Sequence, residues 1–194
     1  MQFSIVAMCS ISWLTVPSGT RRSKELPPPP TTATGVGGGG GAGGAIRIVG
    51  RAITNLGEGR WQATVLMEDD VTTDEPIRLH ADVTVTGDEI TVDVSATDDQ
   101  RANGLNCPEA STISMIHYAV KCVLAPDLPQ NQGCDRPVHV KTRRGTVLDP
   151  IRPAAVSVRH ITQQALADVV LKAMAPDAGE YAAAGCHTSF PSFV

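Results

Sequence analysis

The sequence predicts an α+β fold, built as a β-hairpin within an antiparallel sheet against which two or more helices pack. Three observations carry this. Residues that alternate apolar with polar gather between Trp61 and Ser95, apolar residues at helical spacing recur only later, and no regular strand-helix-strand alternation links them.

Order is expected from about Ile46, where RAITNLGEGRWQATVLM reads as the tail of one element, a turn at Gly57 to Gly59, and a strand from Trp61 to Met67. The clearest local signal follows in IRLHADVTVTGDEITVDVS. Leu79, Ala81, Val83 and Val85 alternate with His80, Asp82, Thr84 and Thr86; Gly87-Asp88 makes a two-residue turn; Ile90, Val92 and Val94 then alternate with Thr91, Asp93 and Ser95. One face of this ribbon is meant to be covered and the other wet. Pro108 sits at a helix start, and Ile113, Ile116, Val120, Val123 and Leu124 form one apolar stripe before Pro126 stops it. His117 lies at the edge of that stripe, with no second ligand one turn away. A short strand is expected over Pro137 to Thr142. A last helix is expected from about Thr162 to Ala175, with Leu166, Val169, Val170 and Ala173 on one face.

At 194 residues and 42% hydrophobic content the chain has room for one domain with a core, and residues 46–194 are assigned to it. Residues 1–45 differ in composition: PPPP favours an extended rod and GVGGGGGAGG a flexible coil, together a Pro/Gly-rich head without order. The glycine run is not a phosphate loop, because no Lys-Ser or Lys-Thr follows it. A net charge of -4 without a basic block argues against nucleic-acid and membrane-surface partners. The apolar opening MQFSIVAMCSISWLTV is too short for a membrane span, and its basic residues follow it where a signal peptide would have them first. Five scattered cysteines without a C-x-x-C pair favour reduced, mostly buried thiols and a cytoplasmic location.

Chemistry is sparsely announced. G-x-S-x-G is absent, the five histidines form no H-x-x-x-H or H-E-x-x-H pair, and Cys186-His187 are neighbours whose side chains diverge. The carboxylates Glu68-Asp69-Asp70 and Asp98-Asp99 fall in turn-like contexts where solvated acids are the default. What remains is RPAAVSVRHITQQALADVVL. Here Arg159 and His160 precede Thr162, which is placed to cap the last helix, and a helix N-terminus carries partial positive charge suited to an anion or a polarised carbonyl. The alternative is a plain helix start, with Gln163 and Gln164 on the surface of the first turn and Arg159 paired to a carboxylate.

That stretch, with NQGCDRPVHVKTRRGTVLDP before it, AAGCHTS after it and GDEITVDVSATDDQRANGLNCPEASTISMIHYAVKCVLAPDLPQNQGC upstream, resembles the hydantoinase B/5-oxoprolinase family over about Arg51 to Thr188. The resemblance implies a piece of a large ATP-dependent enzyme, or subunit of one, that opens cyclic amides such as hydantoins and 5-oxoproline; relatives carboxylate ketones. ATP and a divalent metal are implied for the full assembly and none for this chain alone, with a hydantoinase A-like subunit or domain as partner and a small cyclic amide as substrate. Their position at a helix start inside the longest of these motifs makes Arg159, for charge on an anion or carbonyl, His160, for proton handling, and Gln164, for orientation, the candidate catalytic residues. Three departures stand out. This chain has DVSATD for DFSGTD at Asp93 to Asp98, NQGC for NEGC at Asn131 to Cys134, and TQQA for TSQR at Thr162 to Ala165. The last is expected to remove an arginine from the helix mouth. The likeness also implies a domain cut at both ends, and hence apolar faces left exposed on the hairpin and helices.

Overall fold

The computed structural model describes residues 41–68 and 75–178. The Pro-rich segment, most of the glycine run, Asp69-Asp70 and Cys186-His187 lie outside the described residues.

A helix, α1 (Ala42–Leu56), opens the described chain. It begins four residues ahead of Ile46, so that Gly43 and Gly44, the end of the glycine-rich stretch, form its first turn. Gly57, at φ 81°, ends it in the left-handed region that glycine tolerates. Strands β1 (Gly59–Met67), β2 (Ile77–Thr86) and β3 (Glu89–Asp93) then form an antiparallel meander. The hairpin is the one the alternation predicts: Thr86 faces Glu89 across Gly87-Asp88, with Gly87 at φ 63°. Helix α2 (Glu109–Leu124), a single turn α3 (Gln132–Asp135) and strand β4 (Val138–Lys141) follow. β4 pairs with β3 in parallel, giving one open mixed sheet of order β1-β2-β3-β4. Alternation alone does not reveal that parallel pairing. It follows from α2 crossing over, which returns the chain to the same end of the sheet. The last helix, α4 (Arg159–Ala178), begins three residues before Thr162.

Helix α4 is central. It packs on β1 and β2 on one side and on α2 on the other, which buries Thr162, Ala165, Leu166, Ala167, Val169, Val170, Ala173 and Met174 around most of its circumference. Beneath it, Ile77, Leu79, Ala81, Val83, Val85, Ile90, Val92 and Val94 form the covered face of the sheet, and α1 closes part of it against β2 and β3. The expectation of bare apolar faces is therefore corrected: among the described residues the hairpin and helices cover one another. The exposed large hydrophobics, Ile48, Leu66, Tyr118 and Ile151, sit on separate elements, as scattered single apolar residues commonly do.

Two contacts set testable limits. A Cβ built on Gly133 would stand 2.1 Å from the carbonyl oxygen of Ala42, which is backbone and cannot swing aside. Gly133→Ala should therefore push α1 off α3 and cost about 1–3 kcal/mol, as overpacking does. Thermal unfolding checks the cost, and faster amide exchange confined to α1 would locate it. On the open face of the sheet, the Arg60 guanidinium donates to Asp82 through Nε at 2.9 Å, and Gln62 Nε2 donates to the same carboxylate at 2.8 Å. The Arg60 hydrogen bond holds the Asp82 carboxyl below its usual range, against a smaller upward push from burial. A carboxyl depressed in the folded state adds stability that is present above its unfolded pKa and lost as pH falls through its folded one. Asp82→Asn should thus lower the neutral part of the stability curve by the modest amount an exposed ion pair contributes, leave stability nearly unchanged at the acid end where the native carboxyl is already protonated, and so flatten the fall below about pH 4, which denaturant melts across pH will show.

Candidate functional site

The α4 mouth is assembled from loop 101–107, the segment 153–158, and the first turns of α2 and α4. Their backbones are joined directly. Val158 N–H donates to Gly104 O at 3.0 Å, and Cys107 N–H donates to Val147 O at 2.7 Å. Thr112, in the first turn of α2, donates its hydroxyl to Leu148 O at 2.7 Å. The loop also approaches closely: a Cβ on Gly104 would lie 2.3 Å from Ser157 Oγ. Helices α2 and α4 therefore both start from one loop cluster, and their positive N-terminal ends converge there.

Thr162 has a different role from the cap expected of it. It is 0% exposed, inside the helix, and its hydroxyl donates to Leu105 O. Because α4 starts at Arg159, with Ile161 N–H already bonded to Val158 O at 3.0 Å, Thr162 lies past the cap position and ties the helix to loop 101–107.

Arg159 and His160 are exposed and Gln164 is half-buried. His160 and Gln164 stand one turn apart on one face of α4, whereas Arg159 is rotated from His160 by about 100°. Arg159 donates through Nη1 to Val156 O at 3.2 Å, within electrostatic reach of Cys107. Cys107 is fully buried, and burial pushes its thiol above the usual range, against weaker downward pulls from Thr112 and from the charge of Arg159. It is a neutral packed thiol rather than a ready thiolate.

The departure at position 165, alanine where the family-like motif has arginine, is also relocated. Ala165 is the seventh residue of α4 and 1% exposed. It belongs to the core and not to the mouth.

The Asp93 to Asp98 motif lies beside this cluster and is held by backbone and side-chain contacts. Asp98 accepts from Arg78 N–H at 2.8 Å. Arg143 donates to Ser95 O at 2.9 Å, Thr97 O at 3.0 Å and Asp99 Oδ1 at 2.9 Å. His117 pairs with Asp135 at 3.6 Å, a core-edge contact between α2 and α3. Asn131, first residue of NQGC, caps α3 by accepting from Gly133 N–H at 2.9 Å.

Among the described residues no three His, Cys, Asp or Glu side chains gather to hold a metal ion. A divalent cation therefore finds no donor set in this part of the chain, and no step is assigned to one here. No helix among the described residues is long and apolar enough to cross a membrane. Cys107, Cys122 and Cys134 are free thiols, two of them buried.

Residue-by-residue reading missed Asn106. The sequence marks it only as an asparagine between a glycine turn and a proline, a common turn composition, whereas the structure bonds both polar atoms of its buried side chain.

An open mixed sheet covered on one face by packed helices defines an α+β domain. Residues 38–194 match the family model described as Hydantoinase B/oxoprolinase. The chain belongs to the hydantoinase B/oxoprolinase family. It is 30% identical over 129 residues to 5-oxoprolinase 1 of Arabidopsis thaliana, covering 65% of this chain and 10% of that one. It is 36% identical over 97 residues to 5-oxoprolinase of Saccharomyces cerevisiae, covering 50% and 8%. Among solved structures, the fold is similar to that of the ATP-dependent caprolactamase from Pseudomonas jessenii, with a TM-score of 0.66, 24% identity, and coverage of 72% of this chain and 24% of that one. Acetone carboxylase in its nucleotide-free structure gives a TM-score of 0.60 at 13% identity, over 68% and 19%. The chain thus spans no more than about a quarter of the length of these proteins.

Proposed function

We propose that this chain works as a hydantoinase B-like part of an ATP-dependent enzyme that opens the ring of a cyclic amide, with Arg159, His160 and Gln164 as a polar wall facing the substrate. The observation that carries this is the family match over residues 38–194, and the names of the family and its relatives point the same way. 5-Oxoproline, hydantoin and caprolactam, the compounds in those names, all contain an amide closed into a ring. Opening such a ring adds water across the C–N bond, leaving a carboxylate and a freed nitrogen, an amine from 5-oxoproline or caprolactam and a urea nitrogen from hydantoin. Arg159 would stabilise negative charge on the carbonyl oxygen, His160 would carry a proton between the water and the departing nitrogen, and Gln164 would orient the ring through its amide. The convergent starts of α2 and α4 favour the same developing charge. ATP-driven activation, with its divalent metal, belongs in this reading to the full assembly, in which a hydantoinase A-like subunit or domain is the partner.

The test mixes the purified chain with a hydantoinase A-like subunit, ATP and either 5-oxoproline or hydantoin, and measures ADP and ring-opened product together. Turnover that requires both proteins, and that falls at least tenfold with His160→Ala, is the expected result. No product in either mixture, beside an active intact homologue, would overturn the catalytic reading. It would leave the second one, a non-catalytic interaction module.

A further inference from the structure

Asn106 is 0% exposed, yet every polar atom of its side chain is bonded. Its Oδ1 accepts from Arg101 N–H at 2.8 Å, and its Nδ2 faces three carbonyl oxygens: Arg101 at 2.8 Å, Asn103 at 2.9 Å and Ala155 at 2.9 Å. Three carbonyls around one atom fix which end of the amide is nitrogen, since an oxygen there would meet only lone pairs. The first three of these bonds fold loop 101–107 upon itself, with Leu105 N–H held on Asn103 Oδ1 at 3.0 Å. The fourth reaches across 49 residues to the segment that leads into α4. Two further ties run in the same direction, Val158 N–H to Gly104 O and the Thr162 hydroxyl to Leu105 O.

We infer that Asn106 is a positioning residue for the α4 mouth, clamping loop 101–107 to the approach and first turn of α4 so that Arg159, His160 and Gln164 are held in one arrangement. Only what that wall does rests on the function proposed above; the clamp rests on the bonds just described. A buried amide with all its bonds made specifies one backbone geometry, because any slip of the loop leaves a buried carbonyl or N–H without its partner.

Asn106→Asp separates this from simple space filling. The side chain keeps its shape and its acceptor for Arg101 N–H, but sets an oxygen before three carbonyls. Amide exchange on the full-length chain supplies the measurement. Val158 and Leu105 report the clamp, whereas Ile90, bonded to Pro137 O, and Val94, bonded to Lys141 O, report the sheet. In Asn106→Asp, protection at Val158 and Leu105 should fall at least tenfold further than at Ile90 and Val94, and the His160 imidazole resonance should shift or split. Equal loss at all four amides would mean a general stability role and would overturn the inference, as would unchanged protection at Val158. If Asn106→Asp does not fold, Asn106→Ser decides by the same ratio, since it is smaller and uncharged. In the two-protein assay Asn106→Ser should lower kcat at least tenfold with KM little changed. Failure of the wild-type assay would count against the proposed reaction while the exchange ratio still decided the clamp.

Discussion

Ala165→Arg is expected to unfold the chain rather than restore a lost catalytic charge. The family-like motif places arginine at this position, and in sequence it reads as part of the helix mouth. In the fold, residues 165, 166 and 167 of α4 are all buried, because the helix runs between the sheet and α2 and has little free face there. An arginine at a site 1% exposed must either bury a guanidinium or force its neighbours apart. An uncompensated buried charge costs on the order of 3–5 kcal/mol, before the volume of the added atoms is counted. Against a typical total of about 5–15 kcal/mol, that is enough to leave much of the protein unfolded or associated. Circular dichroism melts and size-exclusion profiles of the variant check this. A thermal midpoint close to wild type would show that position 165 opens onto the mouth after all.

Leu166→Ala should have the next largest effect. Leu166 is 0% exposed and lies on the helix that joins the sheet to α2. Removing a buried leucine side chain costs about 2–5 kcal/mol, depending on how far the cavity collapses. In a domain of this size that lowers the thermal midpoint on the order of 10 °C. The effect should also reach the site, since α4 carries both the core contact and Arg159, His160 and Gln164. Amides around Val158 should lose protection along with those of the sheet, in contrast to the local loss expected from Asn106→Asp. A midpoint lowered by less than about 2 °C, well short of the cavity cost, would contradict the central placing of α4.

Some features were legible in the sequence because they depend on neighbours along the chain. The period-two alternation from Leu79 to Val94 and the Gly87-Asp88 turn specify the hairpin and the face it buries. Ile116, Val120 and Val123 mark α2, and Pro126 its end. Leu166, Val169, Val170 and Ala173 mark the inner side of α4. Co-linear motifs from Gly87 to Leu171 carry the family. None of these needs knowledge of what lies across the fold.

What required the tertiary structure depends on groups far apart in sequence. Thr162 looks like a cap from its neighbours, and becomes a tie once Leu105, 57 residues away, supplies a carbonyl. Asn106 looks like a turn residue, and becomes the clamp because Ala155 arrives 49 residues later. Ala165 looks like part of a polar mouth until α2 and the sheet close over it. The hairpin, the helical stripes and the family can be read from the chain alone, because side-chain period and turn chemistry are local. The tertiary structure alone decided which polar groups are buried and to what they are bonded, because a hydrogen bond removed from water is set by the partner brought to it and not by the residue's place in the chain.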